Sequence, residues 1–195
     1  LKYMPHTKRL KYSYINNSNG RRPSSLLRYT PSLPDNILIE IFKLLDIKDL
    51  MKLRRVCQRW RRILYFTPEL FNRLDLSVYH TAITDNILIS IADFVGTRTQ
   101  LIDISNCYHI TDKGFSYMIN ELGINGQLKV LRMRSVWLVN SMSIMDVAYP
   151  RVGSKIEEID LGNCKKVRDD VIERLVGVSG SSPRAALPFG CPTFH

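Results

Sequence analysis

The side chains able to act as nucleophiles or metal ligands are few and far apart. Cys57, Cys107, Cys164 and Cys191 form no Cys-x-x-Cys pair, and the four histidines stand at ligand spacing neither from these thiols nor from one another. A tetrahedral metal site draws on such spacing, so no metal is expected. The sequence also lacks a glycine-rich phosphate loop, a Gly-x-Ser-x-Gly turn and a His-Glu-x-x-His helix, each of which would fix reactive groups at a set distance. A non-catalytic chain without cofactor is expected, its cysteines reduced and semi-buried in a reducing compartment.

Charge is the next chemical resource. The formal net charge is +10, and Lys2, Lys8, Arg9, Lys11, Arg21, Arg22 and Arg28 place +7 of it in residues 1–32, where no acidic residue occurs. Asn16 to Gly20, Pro23, Ser24 and Ser25 give that stretch no helical or strand period, so it reads as a flexible basic arm. Two readings stand: a contact for nucleic acid, nuclear import or an acidic partner, and a solvated tail. Its tyrosines are not spaced as a base-stacking platform, so nucleic acid is not the expected partner. With 195 residues and 45% hydrophobic content the chain is long enough for one or two domains with a real core. No run approaches the ~18 apolar residues of a membrane span, and no signal segment is visible, so a cytoplasmic or nuclear location is expected. Asn16-Asn17-Ser18 matches a glycosylation acceptor by chance on this reading, and the start at Leu1 leaves residues upstream open.

The elements that must hold these groups in place begin at Leu33. Between Ile37 and Leu45 only Glu40 and Lys43 are polar, so a helix here is apolar round most of its circumference and needs two covering walls. Pro34 suits a first helical turn and Asp35 complements its dipole. Asp46, answered by Asp49, starts a second helix. Leu50, Leu53, Val56, Cys57, Trp60, Ile63 and Leu64 recur at threes and fours and supply one wall. Three helices in roughly 30 residues bury too little surface to fold alone, so a second wall must come from elsewhere.

Leu33-Pro34, Ile37, Leu38, Ile41, Ile47-Lys48-Asp49-Leu50, Val56 and Trp60-Arg61 together resemble an F-box, in order over residues 33–66, with Cys57 a minor departure. The resemblance implies docking on the Skp-family linker of an SCF-type ubiquitin ligase and, through it, a cullin. It assigns linker binding to Leu33, Pro34, Ile37, Leu38, Ile41, Leu50 and Val56, several of which could equally serve the intrachain core.

After Thr67-Pro68-Glu69 the chain repeats itself over residues 67–178. Phe71-x-x-Leu74-x-Leu76-x-x-Tyr79 is echoed from Thr99 to Cys107, Leu128 to Val136 and Ile156 to Cys164, a period of 28 or 29 residues. Each echo alternates as a strand, and Thr84-Asp85, Thr111-Asp112, Asn140-Ser141 and Arg168-Asp169 open helix-compatible segments. These units resemble cysteine-containing leucine-rich repeats, although the first has Tyr79 and the third Val136 at the cysteine position. The fold class expected is α plus α/β solenoid: a three-helix F-box, then a curved array of about four stacked units. Equivalent cysteines two units apart lie roughly 10 Å from each other at ~4.8 Å per strand, beyond disulfide reach of about 7 Å. Reduced core thiols are expected.

Alternation places Arg73, Asp75 and Ser77, then Asp103 and Ser105, Arg132 and Arg134, and Glu158 and Asp160 on the open face, with Tyr108-His109 and Trp137 at its rim. Asp103, Ser105, Arg132, Arg134, Trp137, Glu158 and Asp160 are candidate substrate contacts, with Arg132 and Arg134 suited to a carboxylate or phosphate. Solvated strand faces and a Trp137 folded into the core form the competing reading. From Ser179 the pattern ends and residues 179–195 read as an irregular tail; an uncapped array is expected to reflect either a truncated chain, with further repeats in the complete protein, or a mistaken translation of the end. The expected function is a substrate receptor holding an unknown protein substrate for a ubiquitin ligase. Competing functions are an F-box scaffold without ligase role and a basic, nucleic-acid-associated protein.

Overall fold

The computed structural model describes residues 33 to 178. The expected basic arm over residues 1–32, the expected tail over 179–195 and Cys191 lie outside the described residues.

Three helices come first: α1 (Asp35–Lys43), α2 (Ile47–Leu53) and α3 (Gln58–Phe66). Pro34 occupies the cap of α1 and its carbonyl accepts the Leu38 N–H at 3.1 Å. Asp46 caps α2 by accepting the Asp49 N–H at 2.8 Å, as the spacing of the two residues predicts. Cys57 caps α3 through its sulfur, which accepts the Trp60 N–H at 3.4 Å. Leu38, Phe42, Ile47, Leu50, Ile63 and Leu64 turn inward, and Trp60 meets Phe42 edge to face at 5.5 Å.

Four three-residue strands follow: β1 (Arg73–Asp75), β2 (Leu101–Asp103), β3 (Val130–Arg132) and β4 (Glu158–Asp160). All neighbours are parallel, in the spatial order β1-β2-β3-β4, so Leu74, Ile102, Leu131 and Ile159 fall in one buried row. Helices cover the return path, as parallel connections require. They are α4 (Asp85–Val95), α5 (Asp112–Met118) extended by a π-helical stretch over Ile119–Ile124, α6 (Ser141–Met145), α7 (Pro150–Gly153) and α8 (Asp169–Val178). The helices after the first three strands begin after Thr84, Thr111 and Asn140, and the last at Asp169, where the sequence places them. None is long and apolar enough to cross a membrane.

Leu76, Ile104, Met133 and Leu161 form a second buried row, and half-buried Tyr79 with buried Cys107, Val136 and Cys164 a third. Of the three described cysteines, Cys57 is exposed and Cys107 and Cys164 are buried. Cys107 Sγ donates to the Leu76 carbonyl at 3.7 Å and Cys164 Sγ to the Met133 carbonyl at 3.0 Å, so each thiol satisfies a backbone acceptor of a preceding strand segment. The row above the strands holds Phe71, Leu128 and Ile156 together with Thr99, whose buried hydroxyl has no hydrogen-bond partner.

Past the strands the backbone turns through left-handed residues at equivalent places, Asn106 (φ 63°), Ser135 (φ 58°) and Asn163 (φ 56°). Asparagine tolerates that region; a β-branched residue does not. The first unit has Val78 there and makes a 3-10 turn over Ser77–Tyr79 instead.

Successive units are joined by the acidic residues that open their helices. Asp85 accepts the Thr111 N–H at 2.8 Å and the Thr111 hydroxyl at 2.5 Å. Asp112 repeats this one unit later with the Asn140 N–H at 2.7 Å and the Ser143 hydroxyl at 2.6 Å. Gly114 permits the approach, because a Cβ there would come within 2.9 Å of the Asp85 Cα.

The helical trio is fixed to the first unit through Arg98. Its guanidinium donates to the carbonyls of Leu64 (2.7 Å), Tyr65 (3.1 Å), Phe94 (2.7 Å) and Val95 (2.7 Å), the C-terminal acceptors of α3 and α4, and lies 4.6 Å over the Phe71 ring. One cation thus answers two helix dipoles. Phe94 meets Phe71 at 5.1 Å and Tyr65 at 5.6 Å in the same joint, and Lys43 pairs with Glu69 at 3.0 Å.

Candidate docking faces

Helix α1 shows apolar side chains on two sides. Leu38 and Phe42 point into the trio, while Ile37 (43% exposed), Ile41 (40%) and Leu44 (86%) follow at intervals of four and three on the other side. Leu33 (49%) extends that stripe past the helix start, Pro34 is exposed beside it, and Val56 (59%) stands exposed at the end of the α2 turn. Leu38 and Leu50 do not reach this surface: at 5% and 3% exposure they are packing residues that set the helix angles beneath it. The stripe leaves large apolar area in water, at a cost of about 25 cal/mol per Å².

Arg59 sets the start of the stripe. It pairs with Asp35 at 2.6 Å and its guanidinium donates to the Leu33 carbonyl, which holds the Leu-Pro step against α3. Neither Arg59 nor Leu44 stands out in the sequence, the first because its partners are 24 and 26 residues away. At the other end of the trio the Tyr79 hydroxyl donates to Asp46. That bond, with the Asp49 N–H, holds the Asp46 carboxyl below its usual range, and the Asp46 carboxylate in turn pushes the Tyr79 phenol up to about 12.

The second face is the open side of the sheet. Arg132 reaches Glu158 at 3.0 Å through both Nε and Nη2, and Arg134 reaches Asp160 at 3.2 Å. The two arginines read from the sequence as a carboxylate or phosphate clamp are thus engaged by this chain's own carboxylates. A charged partner group would have to displace them. Ser105 accepts the Arg134 N–H at 3.2 Å, while Asp103 accepts the Ser105 N–H at 2.9 Å.

At the rim, equivalent positions in the four units form one stack. His80 meets Tyr108 at 6.0 Å, Tyr108 meets Trp137 at 6.4 Å with ring planes 26° apart, and Lys165 Nζ lies 4.3 Å from the Trp137 centroid. Trp137 is 39% exposed and remains at the rim; Leu138, which follows it, and Met142 of α6 are exposed as well. Spacing showed Trp137 and Tyr108; the stack itself needed the register of the sheet. The buried thiol offers no reactive alternative, since burial pushes Cys107 up to about 12.

The F-box-like family profile matches residues 30–77, a range that takes in all three helices and β1. The human F-box/LRR-repeat protein 12 is 40% identical over 47 residues, 24% of this chain. The match covers 14% of that protein's own length. The chain carries an F-box-like domain.

Proposed function

We propose that the chain is the substrate-recognition subunit of an SCF-type ubiquitin ligase, docking on a Skp-family linker, and through it a cullin, by the stripe of Leu33, Pro34, Ile37, Ile41, Leu44 and Val56. Leu38 and Leu50 support that stripe from below. The observation that carries this reading is the continuous exposed apolar side of α1 within the F-box-like domain. Exposed apolar surface of this kind marks interaction sites, and an apolar helix face is a common docking element.

The four strand-bearing units belong, on this proposal, to an array of cysteine-containing leucine-rich repeats that holds a protein substrate. Supporting it are the 28- or 29-residue period, the parallel order of the strands and the equivalent thiols of Cys107 and Cys164 bonded to backbone carbonyls. Asp103, Ser105, Arg132, Arg134, Trp137, Glu158 and Asp160 then face the substrate. The chain acts as a non-catalytic adaptor in cytoplasm or nucleus. It raises the effective concentration of substrate lysines near a ubiquitin-loaded enzyme, which supplies the chemistry.

A pull-down from cells with the intact chain and with Leu33→Ala/Pro34→Ala tests the docking role. The intact chain recovers a Skp-family linker and a cullin, and the variant loses both. Recovery of neither by the intact chain contradicts the proposal.

A further inference from the structure

The open sheet face treats its charges unequally. At the end of β3 and just past it, each arginine reaches a carboxylate of β4 two residues before the position directly across from it: Arg132 to Glu158 and Arg134 to Asp160. Applied to β1 and β2, the same diagonal would match Asp103 with position 77, which is Ser77. Asp103 lies directly across from Asp75, and among the described residues neither carboxylate has an ion-pair partner. Arg132, the direct neighbour of Asp103 on the other side, is turned to Glu158.

Like charges directly opposite each other on neighbouring strands are destabilising. Both carboxylates are also held in place: Asp75 accepts the Ser77 N–H at 2.9 Å and the Ser77 hydroxyl at 2.6 Å, and Asp103 accepts the Ser105 N–H at 2.9 Å. Each of these bonds is accepted by Oδ1. With strands about 4.8 Å apart, one guanidinium fork or ammonium can reach both. The strand face carries four carboxylates (Asp75, Asp103, Glu158, Asp160) against three guanidinium groups (Arg73, Arg132, Arg134), in a chain of formal net charge +10. Beyond β3, Trp137 stacks on Tyr108 and remains 39% exposed.

We infer that the substrate segment read by this face is basic: an extended stretch of a partner protein that places a Lys or Arg between Asp75 and Asp103 and an apolar side chain on Trp137. The inference rests on the substrate-receptor reading above and gives it a chemical class. It reverses the clamp chemistry that Arg132 and Arg134 suggest when their neighbours are unknown.

The test selects a phage-displayed library of random 12-residue peptides on the purified intact chain, with binding of a Skp-family linker measured separately. Peptides enriched in Lys or Arg are expected, and their affinity should fall at least about tenfold in Asp75→Asn/Asp103→Asn, the loss of about one charge-assisted contact. Asparagine retains the Oδ1 acceptor for Ser77 and Ser105, so this variant keeps its fold, and its melting temperature checks that. Arg132→Gln/Arg134→Gln releases Glu158 and Asp160 from their arginines, so the affinity for these peptides should hold or rise rather than fall. Enrichment of acidic peptides lost in the arginine variant, or no enrichment that depends on either pair, overturns the inference. Linker capture separates the two proposals: basic enrichment without linker binding defeats the ligase reading alone, and linker binding without basic enrichment defeats this one alone.

Discussion

The helical trio and the strand-bearing units dispose of their apolar residues in opposite ways. In the units, Leu76, Ile104 and Met133 on one row and Leu74, Ile102 and Leu131 on another have neighbours on both sides, and all are buried to 5% or less. In the trio, the same density of apolar residues leaves Ile37, Ile41, Leu44 and Val56 in water. A stacked unit completes its neighbour, because the same side chains recur every 28 or 29 residues. Among the described residues the trio has no copy of itself, and on the docking proposal a linker protein supplies its second wall.

Where the two regions meet, a substitution should damage both. Phe94→Ala removes a ring packed on Phe71 and Tyr65 beneath the Arg98 joint, and a loss of about 3–5 kcal/mol is expected. Chemical unfolding should show a single shifted transition; two separated transitions would show that trio and units melt independently.

Within the units the largest polar effect should come from Asp112. Burial tends to raise its pKa, but bonds from Ser143 and Asn140 outweigh this and hold the carboxyl below its usual range. A depressed folded pKa gives stability that is fully present above the unfolded carboxyl value of about 3.9 and fades as pH falls through the folded value. Asp112→Ala should cost about 1–3 kcal/mol at neutral pH, and its deficit relative to the native chain should shrink in strongly acid solution. A deficit that is the same at neutral and acid pH would remove the carboxylate from the account.

Thr99 breaks the rule that the units keep. It holds a place taken by Phe71, Leu128 and Ile156 in the others, and its hydroxyl is buried without a partner. Thr99→Val should therefore stabilise the chain by about 1 kcal/mol, raising its denaturation midpoint. A lower midpoint would mean that the hydroxyl is satisfied.

Local signals in the sequence carried much of this fold. Asp46 three residues before Asp49, Pro34 ahead of Asp35 and the Thr-Asp steps at 84 and 111 name helix starts because capping is a contact of two to four residues. The inward rows follow from period-two alternation and recurrence. The contacts that position the candidate faces are of a different kind. Arg98 answers carbonyls of Leu64 and Tyr65, 34 and 33 residues back, and Asp85 serves Thr111, 26 residues on. The pairing of Arg132 with Glu158 depends on a diagonal between strands, so the sequence shows the charges and not their neutralisation. The third unit departs most: its return path is two short helices, α6 and α7, because Pro150 starts a new helix where a longer one would otherwise continue.

The contrast between regions rests on one claim, that the exposed stripe of α1 is half of an apolar interface. Calorimetric titration of the purified intact chain with a Skp-family linker, with and without Ile41→Lys, at low and high salt, addresses it directly. Apolar docking predicts an affinity that scarcely changes between about 50 and 200 mM salt. It also predicts that Ile41→Lys abolishes binding while unfolding stability stays within about 0.5 kcal/mol of the native chain. Binding that weakens steeply with salt, or that survives Ile41→Lys, would contradict the account.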